Sequence, residues 1–288
     1  MRYFKVFKNF IPAFVAMISC FSCTGKNAES QAVELPPMTP EAEKLIHFWD
    51  EADFSDTLTW RNEELLQQNF LRFITGLPEV EEEVFRRMAF KDLIDRASVD
   101  KPTLDMLTFM AERYLYDVDS PFMNDPFYMD FLEGWNSSEK LSEADLIRPR
   151  ALLEKARKNL PGTPAADFAY VTREGTEQTL KQTLSDKTLF LIFYEPDCDH
   201  CKEAFKQMGA DPGMNADLAA GKYDVLAVYA GDDEQLWRDN LDMVPANWKV
   251  GISPQIADDE LYDIRSTPQM CIIGADGLII EKDLFPEL

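Results

Sequence analysis

Leu189-Phe-Leu-Ile-Phe-Tyr194 is an unbroken apolar run rich in strand formers, and Pro196 stops it. A run of that length and composition reads as a buried strand. From Cys201 onward the pattern turns helical, with Ala204, Phe205 and Met208 on one face. The pair Cys198-Asp-His-Cys201 therefore sits where a strand ends and a helix begins. A thiol there sees free backbone N–H groups and the positive end of the helix dipole, and both favour the thiolate. A second thiol three residues on can close a disulfide across the first turn. Such a dithiol attacks a disulfide with one sulfur and resolves the mixed disulfide with the other.

Spacing alone does not establish this chemistry, since Cys20 and Cys23 repeat it. The competing readings of Cys198 and Cys201 are half of a zinc site or an inert bridge. A four-ligand zinc site needs two more Cys or His. The chain supplies Cys271, His47 and His200, and His200 lies inside the pair. A second feature favours redox chemistry. In Ile264-Arg-Ser-Thr-Pro-Gln-Met-Cys-Ile-Ile273, a proline opens an apolar strand after a loop.

Together with Tyr194-Glu-Pro-Asp-Cys-Asp-His-Cys201, this Thr267-Pro268 resembles the thioredoxin superfamily. Within it, the chain resembles TlpA/ResA-type thiol–disulfide proteins. Their entry segment is similar to Pro161-Gly-Thr-Pro-Ala-Ala-Asp-Phe168, followed by a turn glycine, here Gly175, and by Leu180. The resemblance spans about residues 161–280. It implies a cis Pro268 facing the dithiol, and a Thr267 backbone able to pair with a substrate strand. It departs from thioredoxin in three places. No Trp precedes Cys198, no Gly-Pro lies between the cysteines, and Ile192 stands where thioredoxin has a buried acid. Glu195 is the candidate proton acceptor for Cys201 in its stead. Cys198, first and nearest the surface, is the expected attacking sulfur, and Cys201 the resolving one. Protonated His200 would stabilise the thiolate, while Asp197 and Asp199 would oppose it. Cys271 reads as a buried core thiol.

The N-terminus bears on compartment. Arg2, Lys5 and Lys8 precede the uncharged apolar stretch Phe10 to Ile18, too short to span a bilayer but suited to a signal peptide. Met17-Ile-Ser-Cys20 resembles a bacterial lipobox, which implies cleavage before Cys20 and its lipidation, with Cys23 as the alternative. The expected location is the cell envelope, lipid-anchored and facing the periplasm or exposed at the surface. Thr24 to Pro40, which carries Gly, Ser, Gln, Asn and three Pro and shows no periodicity, reads as a tether. A net charge of −23 leaves no basic surface for nucleic acid.

The expected organisation is an α+β two-domain chain: signal peptide 1–20, linker 21–37, an all-helical domain 38–160 and an α/β thioredoxin-like domain 161–288. In the first domain Thr39-Pro40 is a helix start. Leu45, Ile46 and Trp49 form an apolar face, as do Leu65, Leu66, Phe70, Phe73 and Ile74. Val80, Val84, Met88 and Ile94 continue on a third helix, and Leu104, Leu107, Met110 and Leu115 on a fourth. About five or six helices are expected, with no strand. No cofactor is implied, and His47 reads as structural.

In the second domain, strands are expected at Phe168–Thr172, Leu189–Tyr194, Tyr223–Tyr229, Trp248–Ile252, Met270–Ile273 and Leu278–Ile280, the last two joined by an Asp-Gly turn. Gln178 to Leu184 reads as a short helix or turn. Thioredoxin folds end in a helix, yet only Glu281 to Leu288 remain here. The helical domain is therefore expected to cover the sheet face left open.

The leading function is thiol–disulfide exchange on exported, disulfide-containing proteins, as reductase or isomerase, with a membrane-bound electron donor or acceptor and a lipid anchor as its other partners. A thiol peroxidase needs Thr-x-x-Cys, and Glu195 stands where the Thr would be. A non-catalytic binding lipoprotein with a passive bridge is the alternative from another class.

Overall fold

The computed structural model describes residues 35–284. The expected signal peptide, the lipidation sites Cys20 and Cys23 and most of the linker lie outside the described residues. Helices come first: α1 Pro40–Ile46, α2 Thr57–Trp60, α3 Glu63–Ile74, α4 Glu83–Ala97, α5 Lys101–Ala111, α6 Asp125–Asn136 and α7 Ile147–Ala156. Side-chain oxygens of Thr39, Asp56, Asn62, Asp100 and Asn124 each accept an N–H of the first turn they precede. Such caps satisfy donors that a helix start leaves without intrahelical partners. Directly after α5 the backbone widens into one π turn, Glu112–Tyr116.

One apolar core runs through these helices, built on Trp49, Phe70, Phe73, Phe90, Leu107 and Phe131. The α4 face differs from the expected stripe. Met88 is 37% exposed and Val84 only half-buried, and Phe85, Ala89, Phe90 and Leu93 are buried beside the expected Ile94. Val80 precedes the helix, so counting from it rotated the predicted face. At the crossing of α4 and α6, Gly134 lets the backbones meet: a Cβ there would stand 2.8 Å from Phe90 Cβ and 2.9 Å from Arg87 O.

The second half forms a seven-stranded mixed sheet, in the order β2-β1-β5-β4-β3-β6-β7. The strands are β1 Ala169–Thr172, β2 Glu177–Thr179, β3 Thr188–Tyr194, β4 Tyr223–Tyr229, β5 Lys249–Ile252, β6 Gln269–Ile273 and β7 Ile279–Leu284. β3 lies between β4, parallel to it, and β6, antiparallel to it. Two expectations need correcting. Gln178 lies in β2, an edge strand paired with β1, before the turn of helix α8 Leu180–Thr183. Its polar residues carry no alternation because both its faces are wet. β7 runs on to Leu284, so residues read as a trailing end belong to the sheet.

Both sheet faces are covered, and the helical domain does not do it. One face packs Phe190, Ile192 and Tyr194 against Cys201, Phe205, Trp237 and Trp248. The other packs Leu191, Phe193, Leu226 and Val228 against Phe168, Tyr170, Leu180, Ile256 and Tyr262 of the same half. Phe168 before β1, Leu180 of α8, Ile256 of the short turn after β5 and Tyr262 of the loop before β6 supply the cover expected from the helices. The two halves meet instead along a polar seam at β7 and residues 260–265. There Lys282 Nζ lies 3.4 Å from the carbonyls of Ala156 and Lys158, and Asn159 Nδ2 donates to Leu261 O at 2.8 Å.

Candidate active site

The ladder register explains why residues far apart in sequence converge. Phe193 pairs with Gln269 and Ile192 with Met270, so the exit of β3 meets the entry of β6. The turn after β3 carries Cys198, and the loop before β6 carries Thr267. The next helix, α9 Asp199–Ala210, starts two residues earlier than its apolar pattern suggests, and Cys198 is its N-cap. The Cys198 sulfur accepts the N–H of Cys201 at 3.1 Å. Charge on a sulfur in that position is stabilised by the donor and by the helix dipole. The same sulfur stands 3.8 Å from the Thr267 carbonyl and 4.0 Å from its hydroxyl. The Thr267-Pro268 peptide is cis.

The two thiols differ in access. Cys198 is half-buried, whereas Cys201 is fully buried against Tyr194 and Phe205. Burial, reinforced by the neighbouring Cys198, pushes the Cys201 thiol up to about 12. A thiol held neutral is a poor first nucleophile but can resolve a mixed disulfide once its proton is removed. Both cysteines, and Cys271, are unbridged. Burial likewise pushes Cys271 up to about 12, on the opposite face of the sheet from Cys201.

The remaining predicted residues take different places. His200 lies exposed in the first turn of α9 and makes no hydrogen bond to either thiol. Asp197 and Asp199 are exposed, and Asp199 pairs with Lys202 at 3.8 Å. Glu195 is half-buried, and burial with the nearby Asp197 raises its carboxyl. No hydrogen bond joins that carboxyl to either thiol, though the Glu195 carbonyl accepts the N–H of Cys198 at 3.2 Å. His47 pairs with Asp50 at the exposed end of α1, 2.8 Å apart. Among the described residues no cluster of three potential metal ligands occurs.

Sequence reasoning missed the residues that hold the Thr267 loop. Gln269 is buried, its Nε2 donating to Asp263 O and to Asp283 Oδ1 and its Oε1 accepting from Arg265 N–H. Arg265 and Asp283 are likewise buried. The available signal was a set of charged and amide side chains crowded around the proline strand and the chain end.

The fold matches that of a solved thioredoxin-like protein from Bacteroides caccae. It is 28% identical, the alignment covers 90% of this chain and 96% of that one, and the TM-score is 0.74. The second half of the chain has a thioredoxin-like fold. The likeness of the chain to that relative extends across both halves. Over part of its length the chain aligns with a conserved protein of unknown function from Bacteroides fragilis (31% identity, 44% of this chain, 93% of that one, TM-score 0.42). It also aligns with the thioredoxin domain of a thiol-disulfide oxidoreductase from Bacteroides vulgatus (17% identity, 43% and 89%, TM-score 0.38). A domain of unknown function, DUF5106, matches residues 21–159. No curated protein matches the chain.

Proposed function

We propose that this protein is an extracytoplasmic thiol–disulfide oxidoreductase of the TlpA/ResA type, acting on disulfides of exported proteins. The observation that carries the reading is the Cys198 sulfur at the N-cap of α9, accepting the Cys201 N–H and facing Thr267. In the reductive direction, the Cys198 thiolate attacks one sulfur of a client disulfide. A Cys198–client bond forms, and the other client sulfur leaves as a thiolate that takes up a proton. Cys201 then loses its proton and attacks the Cys198 sulfur. The client leaves with two electrons gained, and Cys198 and Cys201 remain as a disulfide. A membrane-bound dithiol donor restores the reduced pair, or an acceptor drives the reverse direction. The Thr267 backbone offers a strand-like surface for the client segment.

The same reading tethers the protein to the cell envelope through a lipid on Cys20 or Cys23. Support comes from the basic residues Arg2, Lys5 and Lys8, the apolar stretch behind them and the Ser-Cys steps that follow. Labelling with a radioactive fatty acid should be lost in Cys20→Ser or in Cys23→Ser, and retention in the double variant would sink the tether.

The decisive measurement is the reduction potential of the Cys198–Cys201 couple, equilibrated in glutathione buffers and read by trapping thiols. A reversible couple between about −120 and −270 mV is expected of an exchange catalyst. A couple below about −300 mV marks a structural bridge and moves the function to partner binding by the helical half.

A further inference from the structure

The loop that brings Thr267 to the dithiol is gripped from the helical domain. Arg265, two residues before Thr267, has its side chain only 5% exposed. Its Nη1 donates to the Tyr116 carbonyl at 3.0 Å and to Asp125 Oδ1 at 2.8 Å, and its Nη2 donates to Asp125 Oδ2 at 3.1 Å. The guanidinium lies over the Tyr116 ring, 4.6 Å from its centroid. Tyr116 closes the π turn and Asp125 opens α6, so both anchors belong to the helical half. The same loop is held again at Asp263, which accepts from the Tyr116 hydroxyl and pairs with Lys155 at 3.2 Å.

Within the thioredoxin-like half, Arg265 Nη2 pairs with Asp283 Oδ2 at 2.9 Å, and the Arg265 N–H donates to Gln269 Oε1 at 2.9 Å. Thr267 therefore lies on a short bridge between two fixed points. Two residues of chain span at most about 7 Å, so a shift at Arg265 moves the Thr267 carbonyl that faces Cys198. A bidentate arginine–carboxylate pair fixes orientation as well as distance, and one this buried is little screened by salt.

We propose that the helical domain tunes the dithiol through this link, with Asp125 and Tyr116 holding Arg265 and Arg265 acting as the positioning residue for the Thr267 carbonyl at Cys198. The inference rests on the oxidoreductase reading for its biological meaning, while its physical content concerns the Cys198 thiol alone. The Thr267 carbonyl and hydroxyl both stand against the Cys198 sulfur and limit the approach of a reagent to it. Loosening the loop withdraws them from the half-buried Cys198 sulfur and frees the sulfur to meet an electrophile.

The test is the rate of Cys198 alkylation by iodoacetamide from pH 5 to 10, in the reduced full chain, with the modified site read by peptide mass mapping. Asp125→Ala and Arg265→Met are each expected to raise the rate at pH 7 by about three-fold or more. The double variant should go no further than either single variant, because both break one link. Asp125→Asn keeps an uncharged acceptor, gives a smaller change of the same sign and carries the test should Asp125→Ala not fold. Profiles that superimpose on the wild type, even with a lowered Tm, would overturn the proposal and leave a seam that only joins domains. Rate changes that multiply in the double variant would overturn it too. Exchange activity of the wild type is read separately. Its absence alongside shifted alkylation defeats the oxidoreductase reading alone, and its presence with unshifted alkylation defeats the coupling alone.

Discussion

The helical half and the α/β half bury polar groups for different ends. In the helical half, Arg86 is buried between α4 and α6, with Nε 2.6 Å from Asp130 Oδ2 and Nη1 2.7 Å from the carbonyls of Val80 and Glu81. Arg87 reaches the other Asp130 oxygen at 3.0 Å. These groups close on one another and touch nothing outside the bundle. In the α/β half, Arg265, Asp283 and Gln269 are as deeply buried, but they border the loop beside the dithiol and reach across to Asp125. The first network fixes how two helices cross. The second ties one domain to the loop beside the paired cysteines of the other. Buried charge by itself therefore says little about function, and its neighbours decide.

The comparison can be broken most easily at Asp130. Asp130→Ala leaves Arg86 buried without its counter-ion, and losing one partner of a buried pair costs about 3–5 kcal/mol. Urea unfolding should show that loss, while Cys198 alkylation in the folded fraction stays at the wild-type rate. A change in that rate would mean that the first network also reaches the site.

A smaller effect is expected at the helix crossing. Gly134→Ala places a methyl against Phe90 and the α4 backbone, and overpacking of this kind costs about 1–3 kcal/mol. The Tm should fall with no effect on the reduction potential. A neutral Tm would show that α4 and α6 separate easily.

The smallest effect sharpens the other side. Burial and the adjacent Asp125 raise the Asp283 carboxyl, against the pull of Lys282 and Arg265. A carboxyl whose folded value lies above its unfolded one favours the folded state when protonated. That contribution is fully present below the unfolded value, near 4, and is lost as pH rises through the folded value. Stability should therefore decline from about pH 4 to about pH 7 more steeply in the wild type than in Asp283→Asn, by on the order of 1 kcal/mol. Parallel pH profiles of Tm would show that Asp283 is ionised throughout.

The same contrast marks what could be read from the sequence. Strand β3 and the helix after it were legible, because each leaves a local pattern: an apolar run and a one-face spacing. The pairing of Cys198 with Thr267-Pro268 came from the family resemblance, since no local pattern joins residues so far apart. The helices were legible by local pattern too, apart from the face of α4, where Val80 belongs to the preceding turn. β2 was not, since an edge strand of Glu177, Gln178 and Thr179 has no buried side to impose alternation. The seam was not legible either. Tyr116, Asp125, Arg265 and Asp283 lie far apart in the chain, each alone resembles a surface residue, and only the tertiary fold shows that they share one site.

Cys201 and Cys271 lie on opposite faces of the same sheet. A device that passes electrons in pairs needs an even number of exchanging sulfurs. A third thiol within reach of Cys198 would divert it into a dead-end bridge and strand the client. Here the sheet itself is the partition: Cys271 belongs to β6 and packs on the face opposite the dithiol, so the odd sulfur is insulated by the ladder that assembles the site.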